Sequence, residues 1–393
     1  MTLSAFPVIF AVLLAFLAAT LIARRDPFEG RPERVSTIDG LRGYLAFFVF
    51  LHNGVIWYYY LHSGKWGVMT SHVFIHLGQS SVALFFMITG FLFFAKLLSS
   101  RENGIDWTKL YVSRVLRLTP LYLLAIGCVL SIVVILSGGT LHRPAGDVLL
   151  QVGAWLGFTI PGMPDINGVK STYTIIAGVP WSLPYEWLYY SLLPLFAVAI
   201  GMRVPKVYLA AALVVLVASA LNYANPDNLI LFAIGMASAV LVQNALFRKL
   251  ASTKPASLLV LVCLFCAVNF YSSPHSKMPL LLLSVSFLVI AGGNSLFGIL
   301  THPVSRAFGE TAYSVYLLHG ILLFVTIHFV IGDAAARAFT PMQYWSMLLA
   351  LTPVLVLISH VTFWYIEYPF MRATPRVTNA LRRVLRSGVS RLA

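Results

Sequence analysis

The sequence predicts an all-α polytopic membrane protein of about eleven transmembrane helices, on three observations. Only 10% of the residues are charged and 59% are hydrophobic, with a mean hydropathy of +0.85; a soluble domain of 393 residues needs far more polar surface. Apolar runs of about twenty residues, each able to cross a ~30 Å hydrocarbon core as a helix, recur along the whole chain. The basic residues between those runs fall predominantly on one side.

Taken in order, the first crossing covers residues 3–22; no basic segment precedes it and Arg24, Arg25, Arg31 and Arg34 follow it. That pattern predicts a retained anchor with its N-terminus outside, not a cleaved signal. The second, 41–60, carries Arg42 and His52 among apolar residues, and the third, 80–98, carries Thr89 and Gly90. The fourth, 118–137, is entered past Arg114 and Arg117, one turn apart. A long break, 138–185, holds one apolar run of thirteen residues, 148–160, which is too short to cross comfortably and is placed outside as an interfacial or re-entrant cap. Seven crossings follow, at 186–202, 206–222, 229–246, 257–273, 280–297, 312–331 and 344–366. Glu186 starts the first of these; Tyr313, Tyr316 and His319 recur at helical spacing near the start of the sixth; Glu367 follows the last.

The net charge of +14 invites a nucleic-acid reading. On the predicted topology, however, twenty-two of the 27 Lys and Arg lie on the cytoplasmic side and five (Lys65, Arg143, Lys170, Lys277, Arg337) outside. The positive-inside bias accounts for the basicity and no nucleic-acid partner is needed. The C-terminal segment 372–393, with six Arg and no acid, reads as a cytoplasmic contact for anionic lipid. Cys128, Cys263 and Cys266 sit inside predicted crossings, so the C-x-x-C spacing of the last two is read as packing, with no disulfide. His72 and His76 are an i, i+4 pair without a nearby acidic or Cys partner, and no metal is expected.

A charge at the centre of a membrane helix costs about 2.5–3.5 kcal/mol even on insertion scales, so an ionisable residue there usually lines a cavity and works. His52 lies roughly 15 Å along its helix from Arg42, near mid-membrane; the competing reading is a neutral histidine bonded to a neighbouring helix. Two guanidinium forks at Arg114 and Arg117 suit phosphates, although for the pair taken alone ordinary positive-inside anchoring is the commoner explanation. Glu186 alone reads as a helix cap, and Thr89–Gly90 as close packing.

Together, in order, the motifs DGLRG with its downstream His, FFMITGF, SRVLRLTP, WSLPYEW, AYSVYLLH and IEYP resemble the acyltransferase 3 family of membrane acyltransferases, over about residues 36–370. The resemblance implies a ten-helix core, crossings two to eleven, to which the first crossing is an addition. It implies an N-terminal helix and linker over 1–35, an acyltransferase domain over 36–371 and a basic tail over 372–393. It also implies that Arg42 and His52 are the family's Arg and His of the first core helix, that Arg114 and Arg117 fall on the basic pair linked to acyl-CoA binding, and that Glu186 falls on the Glu of the WSL motif. Two departures stand out. Nine residues separate Arg42 from His52 where the family usually has ten, and Thr89 stands where the family has Ser. A ten-residue step leaves the two side chains about 80° apart around a regular helix, so either the helix is bulged or they do not share a face.

The chemistry suits the residues. Moving an acyl group from a thioester to an alcohol needs a base for the hydroxyl proton, and histidine, with an ordinary pKa of ~6.5, is the natural choice. The expected catalytic residues are therefore His52, Arg42 and Glu186, with Arg114, Arg117, Thr89, Tyr313 and His319 at the acyl-CoA site. Direct transfer is the expected route; an acyl-enzyme relay through a hydroxyl or His319 is the alternative. The expected donor is acyl-CoA, in the first instance acetyl-CoA, without a metal. The expected acceptor is a hydroxyl of a glycan or lipid-linked saccharide outside the cytoplasmic (inner) membrane, and assembly into a homo-oligomer is compatible with the sequence. A transporter or flippase using the same buried charges, or a non-catalytic subunit of a glycan assembly complex, are the rival readings; no inverted repeat supports the former.

Overall fold

The computed structural model describes residues 3–22, 35–67, 71–221 and 226–389. The Arg24, Arg25, Arg31 and Arg34 cluster lies outside the described residues, as do the side chains of Arg386 and Arg391. Sixteen α-helices account for most of what is described: α1 (Pro7–Ile22), α2 (Ser36–Ser63), α3 (His72–Ser99), α4 (Trp107–Leu136), α5 (Ala145–Leu156), α6 (Leu183–Ala199), α7 (Lys206–Leu221), α8 (Pro226–Leu241), α9 (Ala245–Ala251), α10 (Lys254–Phe270), α11 (Lys277–Ala291), α12 (Pro303–Glu310), α13 (Ala312–Val325), α14 (Asp333–Arg337), α15 (Pro341–Thr362) and α16 (Tyr368–Val389). No strand occurs among the described residues beyond a single bridge between Ile166 and Val169.

A helix lies at each of the eleven expected crossings. By length and apolarity alone, α3, α4, residues 312–331 and residues 341–384 suffice to cross a bilayer, and α8 with α9 makes a fifth if that bent pair is one span. Large apolar side chains on α1, α4, α7 and α10, among them Leu13, Leu123, Val214 and Phe265, are exposed. In a water-soluble protein such a belt would be a liability, whereas in a multi-pass membrane protein it faces lipid.

The departures from the expected boundaries have local causes. The expected crossing 229–246 is α8, which bends by 109° into α9. Asn244 starts the new helix, its side chain accepting from the N–H groups of Leu246 and Phe247. The last crossing, expected over 344–366, does not end there. The chain instead continues through a π-helical turn, Phe363–Glu367, into α16, because the wider turn accommodates a residue with no N–H to give. The basic tail is thus the far end of a helix that begins at Pro341. It runs against α4, with Thr374 and Thr378 buried and Arg382 paired with Asp106, the N-cap of α4. Although partial burial works the other way, the Lys109 N–H and the Arg382 guanidinium hold the Asp106 carboxyl below the usual carboxylate range.

α2, α3, α8 and α13 form the centre. The backbones of α3 and α8 approach so closely that a Cβ on Gly90 would lie 2.3 Å from the Phe232 carbonyl oxygen, and one on Gly235 2.1 Å from that of Met87. Gly90 is therefore a packing residue. α1 is peripheral, lying against α15 and α12. The segment between α5 and α6 enters the bundle: two 3-10 turns, Thr172–Ile176 and Val179–Ser182, are largely buried and pack on α13. This buried stretch carries the start of α6, and with it Glu186, into the interior.

Candidate active site

Two cavities lie between these helices. The larger, about 1020 Å³, is lined by Arg42 of α2, Thr89 and Lys96 of α3, Arg114 and Arg117 of α4, Glu186 and Tyr190 of α6, Arg248 of α9 and Tyr313 of α13. Asp39 joins Glu186 as a second carboxylate, so five cationic side chains face two acids in its wall. Residues that the sequence scatters over six helices thus meet in one basic chamber. α4 is long enough to hold Arg114 and Arg117 two to three turns inside its N-terminus, and the buried stretch before α6 brings Glu186 to them.

Arg114 lies over the Phe93 ring at 5.1 Å, and the Tyr190 hydroxyl donates to Glu186 Oε2 at 3.1 Å. Arg42 feels the like charge of Arg117 together with Asp39, Glu310 and Glu186. Arg117 and Arg42 also act on Glu367, which is wholly buried and accepts a hydrogen bond from the Ser314 hydroxyl. Glu310 and Glu367 stand behind the wall, outside the lining: they offset part of the positive charge of the chamber and leave its inner surface basic. The Tyr313 hydroxyl donates to the Leu118 carbonyl at 3.0 Å.

The smaller cavity, about 280 Å³, is lined by His52, Asn53, Gly78, Gln79, Trp181, Asn228 and His275, among others. His52 Nδ1 lies 2.7 Å from the Phe74 carbonyl oxygen, so in the neutral ring this nitrogen carries the proton and Nε2 carries the lone pair. The ring sits on Gly78, where a Cβ would come within 2.3 Å of it. α2 is an uninterrupted α-helix from Ser36 to Ser63, so no bulge brings Arg42 and His52 onto one face, and the two line different cavities. The cavities nevertheless adjoin: Val82, Phe86 and Tyr316 line both.

His319 is in neither wall. It is fully buried; its Nδ1 meets the Val315 carbonyl at 3.0 Å and its Nε2 meets Asn53 Nδ2 at 3.0 Å. Against a carbonyl, Nδ1 must be the donor, so Nε2 accepts from the Asn53 amide. The geometry gives His319 the task of fixing Asn53 beside His52. His76, the other half of the i, i+4 pair, bonds to Ser80 and the Tyr271 carbonyl, and no cluster of metal-binding side chains occurs among the described residues.

An arginine-rich chamber thus adjoins a smaller cavity lined by a histidine. A family model described as an acyltransferase domain matches residues 35–364. The chain belongs to the acyltransferase 3 family. No curated protein and no solved structure matches it. Family and fold together make it a membrane acyltransferase.

Within this acyltransferase, Asn53, Gly78 and Glu310 are site-shaping residues that the sequence reading did not single out. Asn53 carried a readable signal, a polar side chain in mid-helix; Gly78 carried none, since its importance depends on what lies across from it. Replacing Gly78 with Ala is expected to displace the His52 ring and lower acyl transfer by up to about 10²-fold with thermal stability little changed. Steady-state kinetics beside a melting curve checks this, and an undiminished rate would mean that the seat of His52 is not critical.

Proposed function

We propose that this acyltransferase moves an acyl group, acetyl in the first instance, from cytoplasmic acyl-CoA to a hydroxyl of a glycan or lipid-linked saccharide on the outer side of the inner membrane. The observation that carries the reading is the pair of adjoining cavities, one rich in arginine and the other lined by a histidine with its Nδ1 proton already committed. Arg114 and Arg117 hold donor phosphates through charge-assisted forks. The flexible pantetheine arm carries the thioester to the junction at Val82, Phe86 and Tyr316, where it meets the acceptor beside His52. His52 Nε2 takes the hydroxyl proton as the oxygen attacks the thioester carbonyl; the C–S bond then breaks and the thiolate recovers the proton from the imidazolium. Arg42 and Glu186 set the donor's orientation from the chamber wall. A base that is already present and oriented favours direct transfer over an acyl-enzyme relay.

Mass spectrometry of surface glycans from cells with and without the protein tests this. The reading expects one acyl substituent, an acetyl of 42 Da by the simplest case, to vanish with the protein; identical glycans would reject this acceptor class.

The orientation follows from the charge bias, with the N-terminus and residues 138–185 outside and α16 inside. Membrane-impermeant thiol reagents applied from outside are expected to label a cysteine introduced at position 170 and to spare one at position 386. The reverse pattern would invert the whole assignment.

A further inference from the structure

Val82, Phe86 and Tyr316 line both cavities and so stand between them, and two of the three are held by several contacts. The Tyr316 hydroxyl donates to the Val179 carbonyl at 3.0 Å and accepts from the Ser182 hydroxyl at 2.9 Å. The Phe86 ring stacks on Phe232 at 4.8 Å and lies against the rings of Trp181 and Tyr185. Val82, on the same helix one turn before Phe86, is β-branched and so restricted to essentially one rotamer there. An aperture made this way is set by side-chain size, not by motion.

The volumes on its two sides are unequal, about 1020 Å³ around the arginines and about 280 Å³ around His52. The smaller is below the ~300–1,000 Å³ usual for a single drug-sized ligand, yet on the reading above it must admit both the acyl group and the hydroxyl-bearing end of the acceptor. Each methylene added to the acyl chain either takes acceptor space or presses on the partition.

We infer that Val82, backed by Phe86 and Tyr316, is the ruler that restricts this acyltransferase to short acyl groups. The inference rests on the acyl-CoA reading of the preceding subsection and adds to it a residue that sets specificity. Val82 is the informative position because it is only partly buried and its ring-free side chain can be shortened without unstacking the aromatic cluster around Phe86.

The experiment uses the purified full chain in nanodiscs, a saccharide fraction extracted from the producing cells, and acetyl-, butyryl- and hexanoyl-CoA in parallel, following acylated saccharide and free CoA. Wild type is expected to favour acetyl-CoA. Val82→Ala should raise the kcat/KM ratio of butyryl- to acetyl-CoA by about tenfold or more, the scale on which apolar pockets discriminate methylenes; Phe86→Leu should shift it in the same direction and Val82→Phe in the opposite one. A ratio that stays at its wild-type value in active Val82→Ala and Phe86→Leu proteins overturns the ruler while leaving the acyl-CoA reading intact. A wild type that turns over none of the three donors overturns that reading, and the ruler with it.

Discussion

His52→Ala is expected to lower acyl transfer by about 10²–10⁴-fold, the range typical for loss of a positioned general base, with the donor Kd unchanged. The expectation follows from where the ring sits. His52 lines the smaller cavity, away from the arginines that would hold the donor, so its removal takes nothing from donor binding. Its Nδ1 is engaged by the Phe74 carbonyl, which fixes the tautomer and leaves Nε2 as the basic atom. Two further readouts separate a base from a merely structural histidine. The wild-type rate should fall as pH drops and the imidazole becomes protonated, because an imidazolium cannot accept the hydroxyl proton; the residual His52→Ala rate should lack that limb. The variant should also keep the wild-type melting temperature, since the ring makes one side-chain hydrogen bond, to a backbone carbonyl. A His52→Ala protein with full activity would remove the mechanism proposed above.

The second large effect is expected at the other end. Replacing both Arg114 and Arg117 with Gln should raise the donor KM strongly. Hydrogen bonds to charged groups contribute about 1.5–3 kcal/mol each, so losing a pair is expected to reduce kcat/KM by roughly 10²–10⁴-fold. Lysines at the two positions should restore only part of this, because a point charge lacks the planar fork. The acids near the chamber sharpen the expectation. With Glu186, Glu310 and Glu367 acting on Arg42 or Arg117, removal of two of the five wall cations leaves three against Asp39 and Glu186, which weakens the attraction for phosphate beyond the mere loss of contacts. Calorimetric titration of CoA into the double variant reads this directly. An unchanged CoA affinity would reduce both arginines to topology anchors.

Much of this arrangement was legible before any coordinates. Arg42, His52, Arg114, Arg117 and Glu186 stand out because an apolar chain keeps few charges without cause, and the apolar runs placed a helix at each expected crossing, although α3 and α4 begin eight and eleven residues earlier than the runs that marked them. What the sequence could not convey was which of those charges meet. Arg42 and His52 share a helix and look like a pair, yet a ten-residue step around an unbulged α2 sends them to different cavities. Glu186 alone reads as an outer helix cap, and residues 138–185 read as an interfacial or re-entrant cap; which part of them is buried, Thr172–Ser182 against α13, is a tertiary fact. Glu310 sits just ahead of an expected crossing and so reads as loop, although α12 and α13 enclose it. At Pro369 the local rule that proline ends a helix was overridden by the π-helical turn that carries Glu367. His319, expected at the acyl-CoA site, lines neither cavity and bonds Asn53 instead.

The central claim, that acyl groups pass from a CoA thioester to a hydroxyl by the action of His52, is tested most directly by one assay. Purified protein in nanodiscs is given acetyl-CoA labelled in the acetyl group together with the cell-derived saccharide fraction, with His52→Ala measured alongside. The account predicts stoichiometric appearance of free CoA and labelled saccharide with the wild type and near-complete loss of both with the variant. Absence of transfer by wild type, or equal transfer by the two proteins, would contradict it.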